Sequence, residues 1–216
     1  MTRHPPLRAL SGAALLVGML VGPAAAQAPG FPVYGGGFSP TIEIGGLLAF
    51  PSADTQTGDG LALGATGTLS LGRIGVWATA GRFFASTDGV DDRMVYGAML
   101  GVKVVGGALT PLAVYVQGGA GSMEDDDPNS TLVFVPVGLA ASLTIPTPLV
   151  AIRPWVAPRI QFGLETRNGE TETSPGVFGM SAGVDLTLLT GLSFRASYDG
   201  LKGQDGTVGL GVALHF

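Results

Sequence analysis

The sequence predicts an all-β chain folded as an up-and-down antiparallel transmembrane β-barrel of ten strands, with eight as the alternative. Three observations carry this. Apolar side chains recur at every second position through most of the chain, the charge that a water-facing surface needs is missing, and the connections alternate between long and short. Charged residues make up 12% of the chain against 46% apolar, with a mean hydropathy of +0.42 and 36 glycines among 216 residues. An average soluble domain carries about 25% charged residues, so roughly half the usual surface charge is absent. The length suits one domain. With no cysteine, disulfides, thiolate metal sites and cysteine nucleophiles are excluded. The net charge of −5 disfavours a nucleic-acid partner.

The first residues point to export. Arg3, His4 and Arg8 precede an apolar run from Ala9 to Val21, and Ala24-Ala25-Ala26 before Gln27 fits a secretory cleavage site. A membrane-anchoring helix fits less well, because the run is short and broken by Gly12, Gly18 and Pro23. Residues 1–26 are therefore expected to be a signal peptide. Residues 27–40, rich in Gly and Pro and without a stable period, are expected to be an extended periplasmic leader, and 41–216 the barrel.

The last stretch, Thr207 to Phe216, sets the pattern. Val208, Leu210, Val212, Leu214 and Phe216 alternate with small or polar residues, a period of two that marks a strand with one apolar face. Ten residues match a tilted strand crossing hydrocarbon. The first strand repeats the pattern with Ile42, Ile44, Leu48 and Phe50 opposite Glu43 and Leu47, and the second with Leu61, Leu63, Leu69 and Leu71 opposite Thr66 and Thr68. The third, Gly75 to Phe84, is ambiguous in phase. Placing Trp77, Thr79 and Phe83 outward turns Arg82 inward, which avoids a lipid-facing arginine.

The fourth strand sets Tyr96, Leu100, Val102 and Val104 against Lys103, and the fifth sets Leu112, Val114 and Val116 against Tyr115 and Gln117. Residues 131–152 carry no charge, as a membrane helix would, but Pro136, Pro146 and Pro148 argue against a helix and for two strands joined by a tight turn. The seventh strand has Val150, Ile152, Val156, Ile160 and Phe162 opposite Arg153, Trp155, Arg159 and Gln161. Prolines 136, 154 and 158 lack a ladder donor, so bulges or strand ends are expected there. The eighth and ninth strands place Asp185, Arg195 and Asp199 opposite the aliphatic side.

Long polar connections at 51–60, 85–92, 122–130, 163–175 and 200–206 alternate with short ones, the first at Gly72-Arg73. This is the rhythm of a barrel with both termini on the periplasmic side. At this point the chain resembles the small outer-membrane β-barrel proteins of Gram-negative bacteria, the outer-membrane-protein β-barrel domain family. The resemblance rests on the signal peptide, the alternating strands and a terminal strand ending in Phe216. It implies residence in a Gram-negative outer membrane. It also implies that Phe216 acts as the assembly signal read by the outer-membrane assembly machinery, and that membrane lipid and lipopolysaccharide are the surroundings. The resemblance is silent on oligomeric state.

Hydrocarbon cannot solvate polar groups, so Glu43, Arg82, Lys103, Arg153, Arg159, Asp185, Arg195 and Asp199 are expected to line the lumen. They could form an ion-pair network filling a narrow interior, or a narrow, weakly anion-favouring passage for small solutes. Every other acid falls in the long connections. Those loops either keep the rim solvated or bind cations or a cationic ligand at Glu124, Asp125, Asp126 and Asp127; no complete calcium-loop motif is present.

The expected function is thus a non-enzymatic outer-membrane barrel, structural or a passive channel in the porin manner, with surface adhesion or ligand binding through acidic loops as the alternative. Catalysis is disfavoured. The one histidine after the leader, His215, lies at the inner end of the last strand, whereas known barrel hydrolases and acyltransferases use a histidine near the outer rim. No catalytic residue, cofactor or metal is assigned. A soluble lipocalin-like carrier would need the greasy face inward, which the strand charges oppose.

Overall fold

The computed structural model describes residues 31, 42–53, 55, 58–86, 91–106, 110–124, 130–167 and 170–216. The expected signal peptide, and the leader apart from Phe31, lie outside the described residues. Strands β1 (Ile42–Pro51), β2 (Gly60–Leu71), β3 (Ile74–Ala85), β4 (Arg93–Val105), β5 (Leu112–Glu124) and β6 (Ser130–Leu143) follow one another in the chain. A two-residue β7 (Ile145–Pro146) precedes β8 (Val150–Arg167), β9 (Glu170–Leu188), β10 (Leu192–Leu201) and β11 (Gly206–His215). Each spanning strand pairs antiparallel with the spanning strands before and after it, β6 with β8 past the minor β7 that pairs only with β8, and β1 pairs with β11. The sheet therefore closes on itself. Ten spanning strands make an up-and-down barrel, and no edge is left over for most of its height.

Alternation decides which side faces where. Ile44, Leu63, Val137, Leu210 and Leu214 are exposed on the outside, while Glu43, Gln117, Arg159, Asp185 and Asp199 are buried within. A water-soluble barrel would invert this arrangement.

β3 corrects the expected phase. Trp77 and Phe83 are buried in the interior, and Arg82 stands outside with its side chain 55% exposed. Leu71 pairs with Ile74 across the two-residue turn Gly72-Arg73, where Gly72 adopts φ +65°. Partners across such a turn share a face, so the outward Leu71 forces Ile74, Val76 and Arg82 outward as well. Arg82 lies three residues from the loop end of its strand. There it reaches Asp92 at 3.2 Å and sits 5.6 Å from the Phe84 ring. Near an interface an outward arginine costs little, because its head can leave the hydrocarbon.

The prolines need a second correction. Pro136, Pro154 and Pro158 lie inside continuous strands, and register shifts occur elsewhere, between Lys103 and Val105 and between Gln161 and Gly163. In an antiparallel strand each residue's N–H points toward one neighbour only. Pro136 keeps its partner Gln161 on β8 while the β5–β6 ladder skips from Gly118/Val137 to Gly121/Phe134. Pro158 keeps Met180 while the β6–β8 ladder skips from Gly138/Arg159 to Ala141/Val156. Each proline thus costs a local gap in one ladder and leaves the register intact. The expected loop at 163–175 is also largely strand. β8 and β9, at 18 and 19 residues, run on as a hairpin beyond Gly179, the last β9 residue that β10 reaches.

Candidate functional site in the barrel interior

The interior contains two differently built arcs. Along β8–β11, joined by Glu43 of β1, the inward positions carry charge. Asp185 sits in register between Arg153 on β8 and Arg195 on β10, and the Arg195 Nε donates to its Oδ1 at 2.8 Å. The Arg195 Nη2 reaches Glu43 Oε1 at 3.3 Å, and Trp155 Nε1 donates to Asp185 Oδ1 at 3.4 Å. Nearer the loops, Arg159 grips Asp199 with two parallel bonds of 2.7 and 2.9 Å and donates to Ser181 at 3.1 Å. The Ser181 hydroxyl also donates to Asp199. Bidentate charge-assisted pairs of this kind are the strong ones, and the Arg159 side chain is only 1% exposed.

Along β1–β5 the loop-end part of the wall is apolar. Ala49, Ala62, Phe83, Val95 and Met123 form a buried cluster near the loop end, and Phe31 joins it at 3% exposure. Phe31 belongs to the stretch expected as a leader, and its side chain packs inside the barrel. Its ring occupies a niche that two glycines leave open. A Cβ built on Gly64 would come within 2.8 Å of the ring and one on Gly81 within 3.0 Å. Lower on this arc Lys103 stands 5.6 Å from the ring of the buried Tyr115.

Of the eight expected lumen charges, Glu43, Lys103, Arg153, Arg159, Asp185, Arg195 and Asp199 occupy inward positions of their strands, and Arg82 does not. Glu124 is exposed at the end of β5, where its carboxylate accepts from the Met94 N–H at 3.3 Å; Asp125, Asp126 and Asp127 lie outside the described residues. Among the described residues no group of three or more metal-ligating side chains converges.

Ser193, His215 and Glu43 come together at the terminal end, a combination of residue types that nucleophilic hydrolases use. The geometry does not fit that chemistry. Ser193 Oγ lies 2.8 Å and Glu43 Oε2 3.4 Å from the same atom, His215 Nε2, while His215 Nδ1 is buried without a hydrogen-bond partner. A relay needs the carboxylate on one ring nitrogen and the hydroxyl on the other.

The exterior decides what surrounds the barrel. Ile42, Ile44, Val137, Leu139, Val208, Leu210, Val212 and Leu214 point outward and remain 42–59% exposed. A closed sheet with this surface satisfies its backbone internally, as hydrocarbon demands. The chain is a transmembrane β-barrel of the outer-membrane type. Phe216 ends it at 68% exposure, its N–H donating to Ile42 O at 3.0 Å so that the last residue is zipped to the first strand.

No protein-family model and no curated protein sequence matches the barrel chain. Among solved structures it is similar to Neisserial surface protein A, at 13% identity over 81% of this chain and 96% of that one, with a TM-score of 0.39. It is also similar to the β domain of the Bordetella autotransporter Brka (13% identity, 81% and 98%, TM-score 0.47). A third is an outer membrane channel from Pseudomonas putida F1 (10% identity, 86% and 99%, TM-score 0.37). At these identities and superpositions nothing about activity passes from those proteins to this barrel.

Sequence reasoning missed Phe31, Trp77 and Phe83 as interior residues. The parity of the Gly72-Arg73 turn could have placed Trp77 and Phe83. Phe31 had no comparable signal, because its neighbours in the leader show no period.

Proposed function

We propose that this barrel is a non-enzymatic integral protein of the outer membrane with a closed lumen, a structural surface protein that holds its acidic loops at the membrane face. One observation carries the reading: the interior charges neutralise one another across the wall. Asp185 and Glu43 hold Arg195, and Asp199 holds Arg159, so these side chains pair with one another along the wall instead of presenting unpaired charge to a passage. The cavity beside Phe31 measures about 20 Å³, room for one water and no solute. Planar-bilayer recording on the refolded chain tests this directly. A silent membrane is expected, and a stable unit conductance would replace the closed barrel with a pore. Boiled and unboiled samples should differ in gel mobility, as a closed membrane barrel requires. Phe216→Ser should lower the fraction of protein inserted in the outer membrane, the terminal residue being the assembly signal.

A narrow passive channel is the second reading, and it has its own observation. Thr68 Oγ1, Ser70 Oγ, Thr187 Oγ1 and His215 Nδ1, near the terminal end, and Gln117 Nε2 above them are buried without a protein hydrogen-bond partner. Buried polar atoms of this kind require water, so the terminal half of the lumen is where a hydrated path would begin.

A further inference from the structure

We propose that the loop-end half of the lumen contains a binding site for a small planar ring with one polar tip, a phenol-like molecule, and that Phe31 is its tethered occupant. The wall supplies the shape. Gly64 and Gly81 face each other across β2 and β3, and any side chain on either would strike the ring or the neighbouring backbone. Ala49 and Ala62, both fully buried, keep the adjacent positions small, and Phe83, Val95 and Met123 complete an apolar surround. Glycine at two facing strand positions weakens a sheet unless something approaches closely there, and the Phe31 ring is what does so.

The polar tip comes from a second feature. The cavity beside the ring is bounded by Phe31, Thr66, Thr79, Ser197, Arg195 and Trp155 and holds about 20 Å³, the size of a water or a hydroxyl group. Thr79 Oγ1 donates to Thr66 Oγ1 at 3.4 Å, and Thr66 Oγ1 donates to Ala78 O at 3.1 Å, so hydroxyl partners already stand at that edge. Phe31 fills the apolar part and leaves the polar part empty of side chain. A ring bearing one hydroxyl would fill both.

Phe31 belongs to no strand of the barrel, so it can be changed without touching the wall. The experiment uses the refolded full chain in detergent micelles, with phenol, benzene and cyclohexane titrated against wild type and Phe31→Ala. The readouts are tryptophan emission, since Trp155 borders the cavity, and the urea midpoint. Phe31→Ala should show a saturable response to phenol and a raised midpoint. Benzene should bind roughly fivefold more weakly for lack of one hydrogen bond, and cyclohexane more weakly still. Wild type should not respond over the same range, because Phe31 holds the niche.

Thr79→Val in the Phe31→Ala background should remove the advantage of phenol over benzene while ring binding persists. Should Phe31→Ala alone fail to refold, refolding in the presence of phenol should restore the heat-modifiable band. An absent or non-saturable response in Phe31→Ala, an equal response in wild type, or failure of phenol to rescue refolding would overturn the site. A conducting wild type would instead overturn the closed-barrel reading and leave the ring site standing.

Discussion

The charged arc and the apolar arc of the interior do the same job, filling a lumen about ten strands around, by opposite physics. Along β8–β11, Arg159 pairs with Asp199 and Arg195 with Asp185, and Arg153 stands in register beside Asp185. Along β1–β5, Ala49, Ala62, Phe83, Val95 and Met123 fill it by contact, with Phe31 brought in from outside the sheet. The difference shows what each arc can tolerate. A packed apolar cluster loses stability in proportion to the volume removed, whereas a buried ion pair that loses one partner leaves a stranded charge. The apolar arc can therefore be vacated and refilled. The charged arc cannot be edited one residue at a time.

The largest effect should come from breaking the charged arc on one side. Arg159→Ala leaves Asp199 buried without its bidentate partner and should cost roughly 3–5 kcal/mol in urea unfolding. The double change Arg159→Met with Asp199→Leu should recover most of that loss, and a double variant as unstable as the single would mean that packing, not charge, governs this arc. On the apolar side, Phe83→Ala should cost about 3 kcal/mol, and here a small apolar molecule added to the micelles should restore part of the stability, a rescue not expected for Arg159→Ala.

A smaller effect tests the exterior against both arcs. Leu210→Lys places a charge on the lipid face and should destabilise by about 2 kcal/mol, measured as a drop in the folded fraction on unboiled gels. The smallest is expected at Arg82→Ala, about 0.5 kcal/mol, because its pair with Asp92 is solvent-exposed. A loss as large as that of Arg159→Ala would return Arg82 to the interior network.

Much of this was legible in the order of residues. The period of two in β1, β2, β5, β6 and β8–β11 gave their inward and outward faces, because in a strand parity alone decides the side. It therefore also placed Glu43, Arg153, Arg159, Asp185, Arg195 and Asp199 on one side. β3 escaped because both its faces carry apolar side chains, Trp77 and Phe83 on one and Val76, Ala78 and Ala80 on the other. The cost of a lipid-facing arginine then misled, since that cost depends on depth and Arg82 is near the strand's end. The prolines misled because a missing donor affects only one of two ladders.

Residue order alone makes the chain a membrane barrel with an apolar outside and an ionisable inside, since burying polar groups in hydrocarbon is too costly for any other arrangement. Which charges meet, and what fills the remainder, follows from the closed fold. Arg159 and Asp199 are 40 residues apart in the chain, and Arg195 and Glu43 are 152 apart. The first meeting depends on β9 pairing with both β8 and β10 and the second on closure between β1 and β11, and the place of Phe31 depends on a space enclosed only when the sheet has closed. Parity is a local property of the backbone, whereas a lumen exists only once every strand is in place.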